Sequence, residues 1–296
     1  MGIGIAKILT VAKEYTFLSI LIGSVLGYLF LLFYKNRKNK NFINIIVSSG
    51  YIILGLIILI NMISSHYLSE MPKVIIGIPL LLLVFFMCNK SNKVLVRLGN
   101  ILIVFNLIFY LFSIVSLIPQ IDISNYSFTD TKFINILYGS LIYFILSISP
   151  TLLVDTYDKL TKTYLISSVT LGIWLLITYS ILGCDLVNIL RYPEYVILKN
   201  VSLGGIFENV ENIVSFMWMI DVIILLFTSI ISLKKNIKDI RYLYFIILII
   251  YIITSIFNYS FSLLNYVYNY SIIIVSSLFF LSILSNKKRL HSRNDV

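Results

Sequence analysis

Charged residues are scarce in this sequence, at 12% of 296 positions, whereas soluble domains carry about 25%. Cysteine and histidine are rarer still, with two of each, so neither a disulfide framework nor a metal-binding cluster is indicated. No His-Glu zinc motif, Gly-Lys-Ser/Thr phosphate loop or nucleophile elbow occurs. A membrane enzyme would have to rely on carboxylates alone, so we expect no enzyme, no cofactor and no metal.

Hydrophobic residues are abundant instead, at 59% of the chain with a mean hydropathy of +0.97. They form blocks of about 20 residues without the two-residue alternation of a membrane barrel, which predicts transmembrane helices. A shorter apolar stretch at 1–12 is too brief to cross a bilayer. The sequence predicts an all-α polytopic membrane protein forming a single domain over 1–296. Its nine full spans are expected at 16–34, 42–65, 72–88, 98–118, 134–154, 163–183, 206–232, 242–259 and 262–285.

The net charge of +10 reflects topology and not a nucleic-acid partner. Alternate connections hold 17 of the 23 Lys and Arg residues, in KNRKNK, NKSNKVLVR, DKLTK, KKNIKDIR and KKRLHSR. By the positive-inside rule these connections and the C-terminus are cytoplasmic. Cys88 and Cys184 then face opposite sides, which excludes a disulfide between them.

Acidic residues lie within and beside one span. Glu208 and Glu211 share a helix face near its outer end, where the helix dipole and the wet interface favour them. Alternatively, that face lines a hydrated cavity or meets a partner, because lipid exposure is costly. Asp221 lies deeper in the span, where an ionised group needs a partner. A functional role is the default for Asp221, and a hydrogen bond between helices is the alternative.

Two segments contain residues that interrupt helices, MGIGIAK at the start and LSISPT at 146–151. Unwound backbone is tolerated within a membrane where it lines a cavity or is buried in protein. Counting 1–12 as a first helix, the two segments lie five helices apart. That is the spacing expected of a five-plus-five inverted repeat.

Three stretches resemble the spore germination permease-like family, the B subunits of germinant receptors. RYPEYVILKNVSLGGIFENVENIVSFMWMIDVIILLF (191–227) resembles the opening of the family's eighth helix, with its I-x-I-G-x-F-x-E-R-x-D pattern. Glu208 and Glu211 match its two acidic positions, and Asn209 replaces the arginine. The stretch at 92–125 is similar to the fifth helix with its P-x-I-D exit, and 2–33 to the first two helices.

The resemblance implies the amino acid–polyamine–organocation superfamily fold, with ten helices in two inverted halves and a ligand between broken helices one and six. Helices three and eight lie alongside that site. The chain begins at the helix-one break, so either its start is misassigned or it is a shortened paralogue with a damaged site. Ser147 and Ser149 replace a family Gly-x-Glu-like spot. On this mapping the ligand-binding residues are Gly2, Ile3, Gly4, Ser48, Tyr51, Tyr143, Ser147 and Ser149, and the gating or coupling residues are Glu208, Glu211 and Asp221.

Three functions follow as expectations. The first is a germinant-receptor subunit of the spore inner membrane or bacterial cell membrane. It would bind a small nutrient, an amino acid by preference, and act with other receptor subunits. The second is an amino-acid transporter coupled to H⁺ or Na⁺ through Asp221 or Glu211. The third is a degenerate membrane scaffold that binds no ligand.

Overall fold

The computed structural model describes residues 8–34, 41–125, 132–153, 160–190, 193, 196–197, 211–237, 239–260 and 271–284. Within these residues all regular structure is helical and no strand is present. We number the α-helices of this described part in chain order. They are α1 (Thr16–Tyr34), α2 (Asn41–His66), α3 (Lys73–Asn89), α4 (Asn92–Leu117), α5 (Phe133–Ile148), α6 (Leu160–Ile189), α7 (Glu211–Asn236), α8 (Ile240–Tyr259) and α9 (Ser271–Leu284).

Six helical segments of the described residues are long and apolar enough to cross a membrane. They are Ile8–Phe33, Phe42–Ser65, Asn92–Gln120, Phe133–Thr151, Leu160–Gly183 and Ile240–Tyr259. Two further apolar helices are shorter, with 17 residues in α3 and 14 described residues in α9. Helix α7 has 26 residues. The chain is therefore a membrane-embedded helical protein, as its composition predicted.

The chain divides into two compact units. Unit 1 contains the helical residues 8–12, α1, the end of α4 from Phe105, α5 and α6. Within it α1 packs against α5 and α6. Ser19, Gly23 and Gly27 recur every four residues along α1, and such small residues let helix backbones approach closely in lipid. Ser19 Oγ donates to the carbonyl of Ile136 at 3.0 Å, which fixes α1 against α5.

Unit 2 contains α2, α3, the start of α4 to Val104, α7 from Met219, α8 and α9. Helix α8 packs against α2 and α3, and α2 packs against α3 and α9. Glycines again mark close packing. A Cβ on Gly77 of α3 would lie 2.9 Å from the Tyr251 ring of α8, and Tyr251 donates its hydroxyl proton to the Val74 carbonyl at 2.9 Å. These contacts tie α3 to α8.

Several helix boundaries differ from those expected by hydropathy, and three of them have a local cause or a clear break. Helix α4 begins at Asn92, six residues before the apolar run, and the Ser91 hydroxyl accepts from the Val94 amide at 3.4 Å. Helix α6 breaks at Gly183, where φ is +69°, and then continues helical to Ile189. Helix α8 begins after Asp239, whose carboxylate accepts from the Arg241 amide at 2.9 Å as an N-cap. Local capping, which hydropathy does not register, sets two of these limits.

Candidate functional site

The first feature of the site is the interruption of α5. The α-helix ends at Ile148 and continues as a 3₁₀ helix over Ser149–Leu153, which contains Pro150. Proline lacks the amide proton that an α-helix would require there. Ser149 is 1% exposed, and its hydroxyl has no hydrogen-bond partner among the described residues. A buried hydroxyl without a partner is costly, so this position suits a bound water or ligand.

Hydroxyl groups from α5 and α6 cluster beside this interruption. Ser147 Oγ lies 2.8 Å from the Tyr164 hydroxyl, and Ser168 Oγ donates to the Tyr164 carbonyl at 2.9 Å. Tyr143, which is 3% exposed, lies one turn before Ser147 on α5. Three expected ligand residues, Tyr143, Ser147 and Ser149, thus lie on one short stretch of unit 1.

Glycines on α1 make room for this cluster. The Tyr164 hydroxyl lies directly over Gly27, where any Cβ would clash with it. A Cβ on Gly23 would lie 2.9 Å from the Tyr143 ring. Any residue other than glycine at position 23 or 27 would displace the tyrosine beside it. These two glycines of α1 therefore help to position the hydroxyl cluster.

A second interruption, which the sequence analysis missed, lies at 13–15. Lys13 has a φ of +47°, in the left-handed region that L-residues seldom adopt, and Lys13–Tyr15 form a 3₁₀ turn. The Thr16 hydroxyl donates to the Lys13 carbonyl. Glu14 in this turn is 6% exposed, and the buried Tyr179 of α6 donates its hydroxyl proton to Glu14 Oε2 at 3.4 Å. In the sequence, the feature that could have indicated this turn is Glu14, a single acidic residue between two apolar blocks.

The expected residues of helix three lie on α2, in unit 2. Ser48 is fully buried, and its hydroxyl donates to backbone carbonyls of its own helix at Asn44 and Ile45. Tyr51, three residues later on the same face, is 3% exposed. The Ser48 hydroxyl proton is therefore already used in hydrogen bonds within α2. To a ligand, Ser48 would offer only a small, buried side chain.

The remaining expected residues divide between described and undescribed positions. Gly2, Ile3, Gly4 and Glu208 lie outside the described residues. Glu211 is the first residue of α7, and its side chain is likewise not described. Asp221 lies ten residues further along α7, and its side chain is exposed. Asn61, which is not among the expected site residues, forms an interhelical hydrogen bond with Asn258, as polar side chains within a membrane commonly do.

Comparison of the chain with family models, with curated proteins and with solved structures returned no match.

Proposed function

We propose that the chain is a nutrient-sensing receptor subunit of a bacterial membrane, similar to the B subunits of spore germinant receptors. Its ligand would be a small amino acid, and it would act with other receptor subunits, in the spore inner membrane or the cell membrane. The observation that carries the proposal is the interruption of α5, where the buried Ser149 hydroxyl has no hydrogen-bond partner among the described residues and lies close in sequence to the Ser147–Tyr164 pair. No catalytic role is proposed.

The grouping of the helices supports a five-plus-five inverted repeat. Counting the helical residues 8–12 as a first helix makes α1 the second and α5 the sixth. Unit 1 then holds helices one, two, six and seven, and unit 2 holds three, four, eight, nine and ten. Of the pairs of helices five apart, one and six, two and seven, and four and nine each belong to a single unit, whereas the fifth helix from Phe105 and the eighth before Met219 belong to unit 1. Such a grouping is expected when two halves repeat one fold.

The chemistry of the interruption favours an ammonium group. The C-terminal end of a helix carries negative partial charge on its last carbonyls, and α5 ends within the chain's apolar segment 134–154. The hydroxyls of Ser147, Ser149 and Tyr164 add acceptors for hydrogen bonds. An amino acid that binds one conformation more tightly would shift the receptor toward it, which is sufficient for sensing.

Thermal unfolding of the purified full-length protein, screened against the amino acids, tests the proposal. One or a few of them should raise the midpoint in a saturable way, because a ligand that binds only the folded state stabilises it. Ser149→Ala should weaken this response. Ser277→Ala, which removes an exposed hydroxyl that donates to the Ile274 carbonyl, is the matched control and should not. Absence of any saturable shift would favour a scaffold that binds no ligand.

A coupled amino-acid transporter is the second candidate, and the buried Glu14 favours it. Its side chain is 6% exposed beside Tyr179, and buried acidic residues within a membrane are typical of ion and proton pathways. Uptake of labelled amino acids into proteoliposomes, driven by a proton gradient and lost in Glu14→Gln, would support transport. Saturable binding without uptake would favour the receptor.

A further inference from the structure

A chain of hydrogen bonds joins three helices at one end of unit 2. Lys73, the first residue of α3, donates from Nζ to Asn61 Oδ1 of α2 at 2.8 Å. Asn61 Nδ2 donates to Asn258 Oδ1 of α8 at 2.6 Å and to the Ile57 carbonyl at 2.7 Å. By the charge asymmetry of the connections, this is the outer end of the unit.

The ammonium group sets the direction of every amide in this chain. Lys73 can only donate, so the Asn61 oxygen faces it and the Asn61 nitrogen faces Asn258. Asn258 must then accept with its oxygen, which turns its own nitrogen, Nδ2, away from Asn61. Each amide is polarised in the same sense, so Asn258 Nδ2 is the positive end of the chain.

That positive end has no acceptor among the described residues. Asn258 is 4% exposed, and Nδ2 is buried with no hydrogen-bond partner in the part of the chain described. Ser255, one turn earlier on the same side of α8, also has a buried hydroxyl oxygen without a partner there. A buried donor left unsatisfied costs about 1–3 kcal/mol. Two such groups one turn apart, both without a partner in the described part of the chain, therefore favour a bound acceptor at this position.

We propose that Asn258 and Ser255 form a binding site for a compact monovalent anion, either chloride or a short carboxylate. Such an anion can accept from the Asn258 amide and the Ser255 hydroxyl together. Its charge is favoured by the ammonium of Lys73, which acts through the two polarised amides. The site lies in unit 2 on α8, whereas the proposed nutrient site lies in unit 1 on α5, so either can exist without the other.

Anion-dependent thermal unfolding of the full-length protein in detergent tests the site. Sodium gluconate, whose anion is bulky, is replaced stepwise by sodium chloride or by sodium formate at constant ionic strength. We expect the midpoint to rise and saturate, by about 2–4 °C at tenfold above the dissociation constant. Asn258→Asp, which replaces the donor with a negative acceptor, should abolish the rise. Asn236→Asp should retain it, because the Asn236 side chain belongs to another helix, α7, where its Nδ2 donates to the Ser232 carbonyl one turn earlier.

A saturable rise with chloride alone identifies a halide site, and a rise with both salts identifies a general compact-anion site. A rise of equal size in Asn258→Asp, or a linear response to every salt, would overturn the proposal. No response at all would also overturn it and would indicate that water fills the position. Should Asn258→Asp not fold, equilibrium dialysis of labelled chloride on Ser255→Ala should show about tenfold weaker binding, the loss of one hydrogen bond. Unchanged binding there would contradict the proposal.

Discussion

Residue by residue, the closest packing in unit 1 occurs where α1 has no side chain. A Cβ on Gly23 would lie 2.6 Å from the Ser140 carbonyl oxygen, which belongs to the α5 backbone and cannot rotate away. Gly23→Ala should therefore force α1 and α5 apart and destabilise the protein by about 1–3 kcal/mol. Thermal unfolding in detergent measures the loss.

Gly172→Ala on α6 is the matched control for this prediction. Its added Cβ would lie 3.5 Å from the Phe17 ring, an ordinary contact distance. Alanine is also the better helix former, by about 1 kcal/mol in water. This variant should be neutral or slightly stabilising. If the two variants had equal unfolding midpoints, the close approach of α1 and α5 would be refuted.

A second prediction at this scale concerns Asp122, which follows α4 outside the membrane. The Ser124 hydroxyl donates to Asp122 Oδ1 at 2.6 Å and the Ser124 amide at 2.9 Å. These two hydrogen bonds hold the pKa of the Asp122 carboxyl below its ordinary value, with the hydroxyl contributing more. A lowered pKa in the folded state stabilises the turn above the unfolded pKa of about 3.9, and this contribution is lost as the pH falls through the folded value.

Removing the hydroxyl in Ser124→Ala should raise the pKa of Asp122 toward its ordinary value. The Ser124 backbone amide still donates to Asp122 in this variant, so the pKa should return only part of the way to its ordinary value. Carbonyl-labelled NMR titration of aspartate measures it directly. Identical titrations in the two proteins would show that the Ser124 hydroxyl does not hold the carboxylate.

Among the elements, α6 carries a break that the adjacent turn caps. Gly183 has a φ of +69°, which leaves carbonyls of the preceding turn without their helical partners. The side-chain Nδ2 of Asn125 donates to the Ser180 carbonyl at 2.8 Å and to the Ile181 carbonyl at 3.5 Å. The backbone N–H of Asp122 also donates to the Ser180 carbonyl, at 3.3 Å. The turn after α4 thus replaces the bonds that the break removes.

Gly183→Ala should cost about 1–2 kcal/mol, because an L-residue is strained at that φ. Its Cβ would also lie 3.2 Å from Asn125 Oδ1, so Asn125 would have to move. Asn125→Ala should leave the Ile181 carbonyl without this donor and the Ser180 carbonyl with the Asp122 amide alone, and it should speed hydrogen exchange in the last turns of α6. Unchanged exchange would mean that water caps these carbonyls equally well.

Much of this element order follows from hydropathy, which predicted the apolar spans near α1, α2, α3, α5 and α8. The breaks were harder to predict, because they depend on single residues in a tertiary setting. Pro150 gave a local signal for the end of α5, whereas Lys13 has no feature that predicts a positive φ. The burial of Glu14 depends on Tyr179, 165 residues away, and a single sequence does not reveal such a pair.

For the whole molecule, the proposed inverted repeat relates helices that lie five apart in the chain. Helices α1 and α6 lie in unit 1, whereas α2 and α7 from Met219, together with α3 and α8, lie in unit 2. If these pairs are inverted repeats, their members cross the membrane in opposite directions. The connection after α2 must then face the side opposite to the connection after α7.

Labelling of single cysteines in intact cells measures this relation most directly. Ser69→Cys, after α2, and Ile240→Cys, at the start of α8 directly after the connection from α7, are introduced separately into a background with Cys88→Ser and Cys184→Ser. We predict that an impermeant maleimide labels position 69 from outside and labels position 240 only after the membrane is permeabilised. Two reference variants are expected to behave in the same two ways. Ile123→Cys should be labelled from outside, and Ser91→Cys only after permeabilisation. Labelling of positions 69 and 240 from the same side would contradict the inverted repeat and, with it, the proposed ligand site.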